Sequence, residues 1–240
     1  MSLATDLKTA SRSLRSSPGF ALFATLALAL GIGLTLYMFG ALNAFVLRPL
    51  PFRDAGSLVH IELADPTQDE DSLEVPYPDF LAWREHATSA PDLAAYWEGT
   101  LNLADQGDPE RLDGAFVTGN LFEVLGAQAE LARALTAADS TPGAPATVVL
   151  SRLVFERRYG SDPSVLGRAV RVNGRPATIV GVMPEAFRYP VRTEAWATIP
   201  ESAAAEPWRD ASSVEVIGHL APGSGPTALA AEIDAVVAQL

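Results

Sequence analysis

Charge disappears from the chain between Phe20 and Leu47, where only Thr, Asn and Tyr interrupt the apolar composition. At about 1.5 Å of rise per residue, roughly 20 residues cross the hydrocarbon of a bilayer, so this run predicts a transmembrane helix over 20–47. Pro18 and Gly19 punctuate its start, and Pro49 and Pro51 place a stop after Arg48. A cleaved signal peptide is the rival reading. Its apolar region is usually about 7 to 15 residues long and ends in small residues, whereas this run is about twice that length and continues through Asn43, Phe45 and Val46. Gly31, Gly33 and Gly40 lie within it; small residues let a second membrane helix approach closely, although Gly is also simply common in such helices. Ahead of the run, Leu3, Leu7, Ala10 and Leu14 fall at helical spacing with Lys8 and Arg12 between them. The arm 1–19 is thus an amphipathic surface helix or an unstructured segment.

Beyond residue 54 the patterning turns to short alternating segments. Leu58–Leu63 alternates as a strand, and the acidic stretch 65–74 reads as a loop. Pro76 and Pro78 open a helix carrying Phe80, Leu81 and Trp83, with Asp79 placed to cap or favour its first turn. Strands follow at 93–96, 100–104 and 111–117, then a helical turn over 120–125. Residues 136–146, rich in Asp, Pro, Gly and Ala, read as a loop. Thr147–Leu150 is a short apolar strand, and Ser151 is placed to cap a helix over 152–159 that Gly160 and Pro163 end. Asn173-Gly174 between two alternating segments predicts a hairpin. The stretch through Phe187 and Pro190 reads as extended, 195–199 and 214–220 as strands, and 227–240 as an amphipathic helix with Leu229, Ile233, Val236, Val237 and Leu240 on one face.

Composition sharpens this picture at three points. With 240 residues, 48% of them hydrophobic, the chain holds one or two soluble units beside the membrane segment. The net charge of −12 repels nucleic acid, which is excluded as a partner. Lys8, Arg12 and Arg15 precede the apolar run while the acidic excess follows it, and basic residues near a span stay on the cytoplasmic side. The expected arrangement is a bacterial inner membrane protein with a cytoplasmic N-terminus and a periplasmic main domain. There is no cysteine, so packing alone holds the outer part together.

The ordered set of local motifs resembles the N-terminal part of MacB-like/FtsX-like ABC transporter permeases, including orphan permeases of soil bacteria. The matching stretches are Ser16-Ser-Pro-Gly-Phe20, Leu30-Gly-Ile-Gly33, Leu47-Arg-Pro-Leu-Pro51, Tyr77-Pro-Asp-Phe-Leu-Ala-Trp83 and Gly119-Asn-Leu-Phe-Glu-Val-Leu-Gly126. Arg158-Tyr-Gly160, Val172-Asn-Gly174, Ile179-Val-Gly-Val-Met-Pro184, Phe187-Arg-Tyr-Pro190 and Gly218-His-Leu-Ala-Pro-Gly223 continue it. The resemblance implies an α+β fold class: an N-terminal transmembrane helix followed by a mixed α/β periplasmic core domain of MacB type over 54–240. It also implies a separate ABC ATPase subunit, other membrane helices or a second permease copy, and a periplasmic protein partner. Cargo in that family ranges over macrolides, peptides and lipoprotein-related substrates, and some members transmit a mechanical signal instead. Two departures stand out. Where the family has a Gly-Arg pair, this chain has Ala132-Arg133, which predicts a less tight turn; and family members continue through further strands and membrane helices, so the chain reads as truncated at Leu240.

Candidate chemistry is sparse. His60, His86 and His219 lie in separate segments without zinc-ligand spacing. Ser151 lies in no nucleophile elbow, and Asp69 and Asp71 read as a solvated loop. No catalytic, cofactor-binding or metal residue is assigned, and an enzyme is not expected. The functional readings are a non-catalytic permease subunit coupled to an ATPase, or a single-span, membrane-anchored binding or scaffold module.

Overall fold

The computed structural model describes residues 18–42, 52, 54–63, 75–105, 107–200 and 213–239. The arm 1–17, the Pro-flanked exit 43–51 and the acidic stretch 65–74 lie outside the described residues. The chain divides into two compact units, Met1–Pro51 and Phe52–Leu240.

In the first unit, α1 (Pro18–Leu42) is one uninterrupted helix. Thr25 and Thr35 return their hydroxyls to the carbonyls of Ala21 and Gly31, each at 2.8 Å, so neither polar group needs a partner outside the helix.

The second unit is organised by one long strand. The elements are β1 (Leu58–Ile61), β2 (Val75–Pro76), α2 (Tyr77–His86), β3 (Asp92–Ala104), β4 (Glu110–Val117), α3 (Leu121–Val124), β5 (Leu131–Ala132), β6 (Thr147–Ser151), α4 (Arg152–Tyr159), β7 (Ala169–Val172), β8 (Arg175–Met183), β9 (Ala195–Thr198), β10 (Ser213–His219) and α5 (Pro226–Val237). The expected strands 93–96 and 100–104 are a single strand, β3: Trp97, Glu98 and Gly99 stay in register with Phe116, Ala115 and Gly114 of β4, so the ladder passes through them. The C-terminal part of β3 belongs to a ring. It pairs with β4, β4 with β9, β9 with β6, β6 with β8, β8 with β7, and β7 returns to Leu103 and Ala104 of β3. Closure leaves no free edge in these six strands. The ring is filled by Leu101, Leu103, Leu112, Leu150, Val170 and Ile179, with Val154 and Phe155 of α4 packed against them.

The N-terminal part of β3 belongs instead to an open sheet with β10, which carries β1 and β2 on its other side. Alternation along β3 sends Leu93 and Ala95 to one face and Ala94 and Tyr96 to the other. On the first face α2 and α5 bring Phe80, Trp83, Leu229 and Ile233. On the second, α3 and β9 bring Phe122, Leu125 and Trp196. Fully burying side chains of this size contributes about 1.5 to 3 kcal/mol each before the entropic cost of ordering them.

Local chemistry accounts for the element ends. Ser151 accepts from the Val154 N–H at 3.3 Å and caps α4, as its position predicts. Asn173 and Gly174 adopt φ of +49° and +80°, the left-handed pair that a two-residue hairpin turn requires. Asn173 also ties the turn sideways to β3, its Oδ1 accepting from the Asn102 N–H at 2.8 Å. One expectation is met in part and two are corrected. Asp79 does not cap α2, whose cap position Pro76 occupies, but it stands in the first turn, where an acid is favourable. The loop 136–146 contains a 3-10 turn, Ala137–Ser140, closed by reciprocal bonds between Thr136 and Asp139. The stretch after Met183 is a series of turns, with a cis peptide at Tyr189-Pro190, because β8 ends where its partners β5 and β6 end.

Candidate functional site

Ala132, where a less tight turn was expected, ends the short strand β5. Ala132 takes φ +57°, the conformation a glycine would occupy freely. Arg133 beside it binds Asp139 through two contacts of 2.6 and 2.8 Å, which anchor the 3-10 turn to β5. Burial alone would raise the Asp139 carboxyl, but Arg133 and Thr136 hold it below the usual range.

The three histidines are not brought together, and among the described residues no group of His, Cys, Asp and Glu has metal-ligand geometry. His60 pairs with Glu62 at 3.1 Å and Glu215 at 3.6 Å on the half-exposed face of the open sheet. His86 meets the Ala82 carbonyl within its own helix. His219 is different: its Nε2 donates to the Val124 carbonyl at 2.8 Å, and its Nδ1 meets the Ser57 hydroxyl at 2.9 Å. The end of β10 thereby joins α3 to the turn 54–57 that enters the outer unit. This junction lines a cleft of about 710 Å³, of mixed polar and apolar lining, that also receives Arg84, Asp92, Asn120 and Glu123.

Two polar assemblies escaped sequence reasoning because their members are far apart in the chain. Arg158 of α4 reaches back to Asp105 in the β3–β4 turn at 2.8 Å and to Glu110 at 3.1 Å, with Arg157 bridging Glu110 and Glu194. Asp105 and Arg158 side chains are only 8% and 12% exposed, so each is the other's main compensation for lost water. Burial is the largest single influence and pushes the Asp105 carboxyl up, yet the bonds from Arg158 and the Gly107 N–H, together with the Arg158 charge, outweigh it and hold the group low. The Arg158-Tyr-Gly160 motif was the visible signal. The second assembly joins Tyr189 to Tyr96 at 2.9 Å and Tyr96 to the Glu215 carboxylate. Burial first, and donation to Glu215 second, raise the Tyr96 hydroxyl well above its ordinary value.

In the first unit, Pro18–Gly40 is long and apolar enough to cross a membrane, with a mean hydropathy of 2.1 and no part buried. A side chain added at Gly31, Gly33 or Gly40 would meet open space, so the surface those glycines present is available for helix contact.

Comparison with known proteins adds the following. The sequence matches the profile of the MacB-like periplasmic core domain over residues 21–236. No curated protein sequence matches the chain. Among solved structures, it is similar to a domain of a protein assigned as a permease from Porphyromonas gingivalis, with 17% identity, a TM-score of 0.56 and coverage of 74% of this chain and 81% of that one. It is also similar to the periplasmic region of MacB from Actinobacillus actinomycetemcomitans, at 14% identity, TM-score 0.55, and 76% and 83% coverage. The extracellular domain of the noncanonical ABC-type transporter YknZ from Gram-positive bacteria gives 13% identity, TM-score 0.52, and 76% and 91% coverage.

Proposed function

Because the chain belongs to the family of MacB-like periplasmic core domains, a non-catalytic module of membrane-associated ABC transporter permeases, we propose that it couples a separate ABC ATPase to substrates or partners outside the cytoplasm. The division of labour follows the sequence: 1–19 as a cytoplasmic arm, 20–47 as the span, and 54–240 as the periplasmic module. Lys8, Arg12 and Arg15 against Asp6 favour a cytoplasmic N-terminus. The observation that carries the reading is the combination of an apolar helix with an open glycine surface and an outer module whose ring and sheet share β3. An apolar helix joined in one chain to an outer unit whose ring and sheet share a strand suits transmission of movement rather than chemistry. No step in this role requires a nucleophile or a metal.

The test is assembly. With the chain, its ATPase and the remaining membrane helices of the permease expressed together, Gly33→Leu is expected to lower recovery of the complex several-fold, because the larger side chain holds helix backbones apart. Undiminished complex and transport in Gly33→Leu would remove the packing argument. The second reading, an anchored binding or scaffold module, is favoured by the cleft beside His219. It requires that α1 be exchangeable for an unrelated span without loss of partner binding.

A further inference from the structure

The ring closes through a short pairing. Among the described residues, Leu103↔Val172 and Ala104↔Arg171 are the only pairs in register between β3 and β7, whereas β3 and β4 stay paired from Tyr96↔Val117 to Leu103↔Glu110. The turn beyond β7 extends the closure, and it does so with a side chain. The Asn173 N–H donates to the Asn102 carbonyl at 3.0 Å, and the Asn102 N–H returns a bond of 2.8 Å to the Asn173 Oδ1 rather than to a main-chain oxygen. That oxygen also accepts from the Asn102 Nδ2 at 3.2 Å, while the Asn173 Nδ2 donates to the Thr100 carbonyl at 3.2 Å. The side-chain amide of Asn173 is thus fastened to β3 through both its acceptor and its donor.

Asn173-Gly174 is also the one Asn-Gly dipeptide of the chain, and asparagine is a labile residue in water. In the reaction open to it, the Gly174 backbone nitrogen attacks the Asn173 Cγ. The N–Cγ bond forms, the Cγ–Nδ2 bond breaks, and ammonia leaves with the amide proton. Solvent water then opens the cyclic imide at either carbonyl, giving aspartate or an isoaspartyl linkage whose main chain runs through Cγ. Glycine shields its own nitrogen least, a Cβ at Gly174 would meet open space, and both residues are exposed to water. What opposes the reaction is the anchorage, because Cγ reaches the Gly174 nitrogen only when the amide turns away from Asn102 and Thr100. Either product then fits the closure less well. Aspartate has no donor for the Thr100 carbonyl, and the isoaspartyl form adds a carbon to the main chain of a two-residue turn set between Val172 and Arg175. We propose that Asn173-Gly174 is a latent deamidation site, shielded while the ring is closed, reactive once the turn leaves β3, and unable to restore the same closure after conversion. The assignment is independent of ATPase coupling.

Peptide mapping by mass spectrometry of the full chain in detergent, held in mildly alkaline buffer with and without guanidinium chloride, tests it. Amide-to-acid conversion at Asn173 is expected to run at least twentyfold slower in the folded chain than in denaturant. Val172→Ala, which trims a buried side chain of the closure, is expected to speed conversion in the folded chain at least threefold. Asn173→Gln, whose longer side chain cannot form the same imide, is expected to abolish conversion at that position. The product is read separately: Asn173→Asp is expected to raise amide exchange at Asn102 at least fivefold while the β3–β4 ladder stays protected. The proposal is overturned if the folded and denatured conversion rates agree within threefold, or if Asn173→Asp leaves exchange at Asn102 within twofold of wild type. These two comparisons decide the matter alone if Val172→Ala fails to fold.

Discussion

At Ala132 the backbone stands at φ +57°, where a Cβ costs about 1 to 2 kcal/mol and a glycine costs nothing sterically. Glycine loses more chain entropy on folding, which offsets part of that gain. Ala132→Gly is therefore expected to stabilise the outer unit by about 0.5 to 1 kcal/mol, read as a rise in the urea midpoint at unchanged slope. The opposite experiment concerns Arg158. Truncation to Leu leaves Asp105 buried without its cation, and the expected loss is about 2 to 3 kcal/mol. Replacing Asp105 and Arg158 together by Asn and Leu is expected to cost less than the sum of the two single changes, since the main penalty is the orphaned charge. Additive losses in that double-mutant cycle would show that the two residues act separately.

Helix α5 is held by more than its apolar face. The Glu232 carboxylate accepts from the backbone and hydroxyl of both Thr88 and Ser89, at 2.7 to 2.9 Å, and these four bonds pull the group down to about 2 from 4.5. A carboxylate with a depressed value in the folded state contributes stability that is complete above the unfolded value and disappears as pH falls from about 4.5 through about 2. The urea midpoints of wild type and Glu232→Gln are expected to differ at pH 7, to draw together as pH falls below 4.5, and to converge only below about pH 2. A difference at pH 2.5 as large as that at pH 7 would place the contribution in packing instead. On β8 the constraint is steric. A Cβ on Gly181 would stand 1.9 Å from the Arg133 carbonyl oxygen, so Gly181→Ala is expected to detach β5 and to raise amide exchange over 130–134 while the β6–β8 ladder stays protected. The sequence made α2, α4, α5 and the β7–β8 hairpin legible because each carries its own signal: helical spacing, a serine cap, or Asn-Gly. It did not reveal the ring or the Glu232 clamp, which join residues about 70 to 140 positions apart. It also split β3 at Trp97–Gly99, where bulky and small residues break the alternation that the ladder preserves.

For the whole molecule, the absence of cysteine makes sidedness directly measurable. Single-cysteine variants at Ser2 and Asp108 are expected to separate cleanly with a membrane-impermeant maleimide. Asp108→Cys labels once the outer membrane is opened, and Ser2→Cys labels only after the inner membrane is broken. The reverse pattern would invert the proposed orientation and with it the role of the basic arm. The candidate functional surfaces were less legible than the fold because clefts arise where elements end, and no local sequence signal marks that. His219 illustrates this: it was readable as a strand residue, but its bonds to Ser57 and Val124 depend on three segments meeting. Finally, β3 serves both the closed ring and the open sheet without a break, so the two halves of the outer unit have no seam between them. A pull applied at the sheet is carried into the ring along one backbone, as in a beam running through two rooms of a building. The halves are expected to share one unfolding event, with the amides of β3 exchanging slowest along its whole length and a single force peak when the unit is stretched from β1.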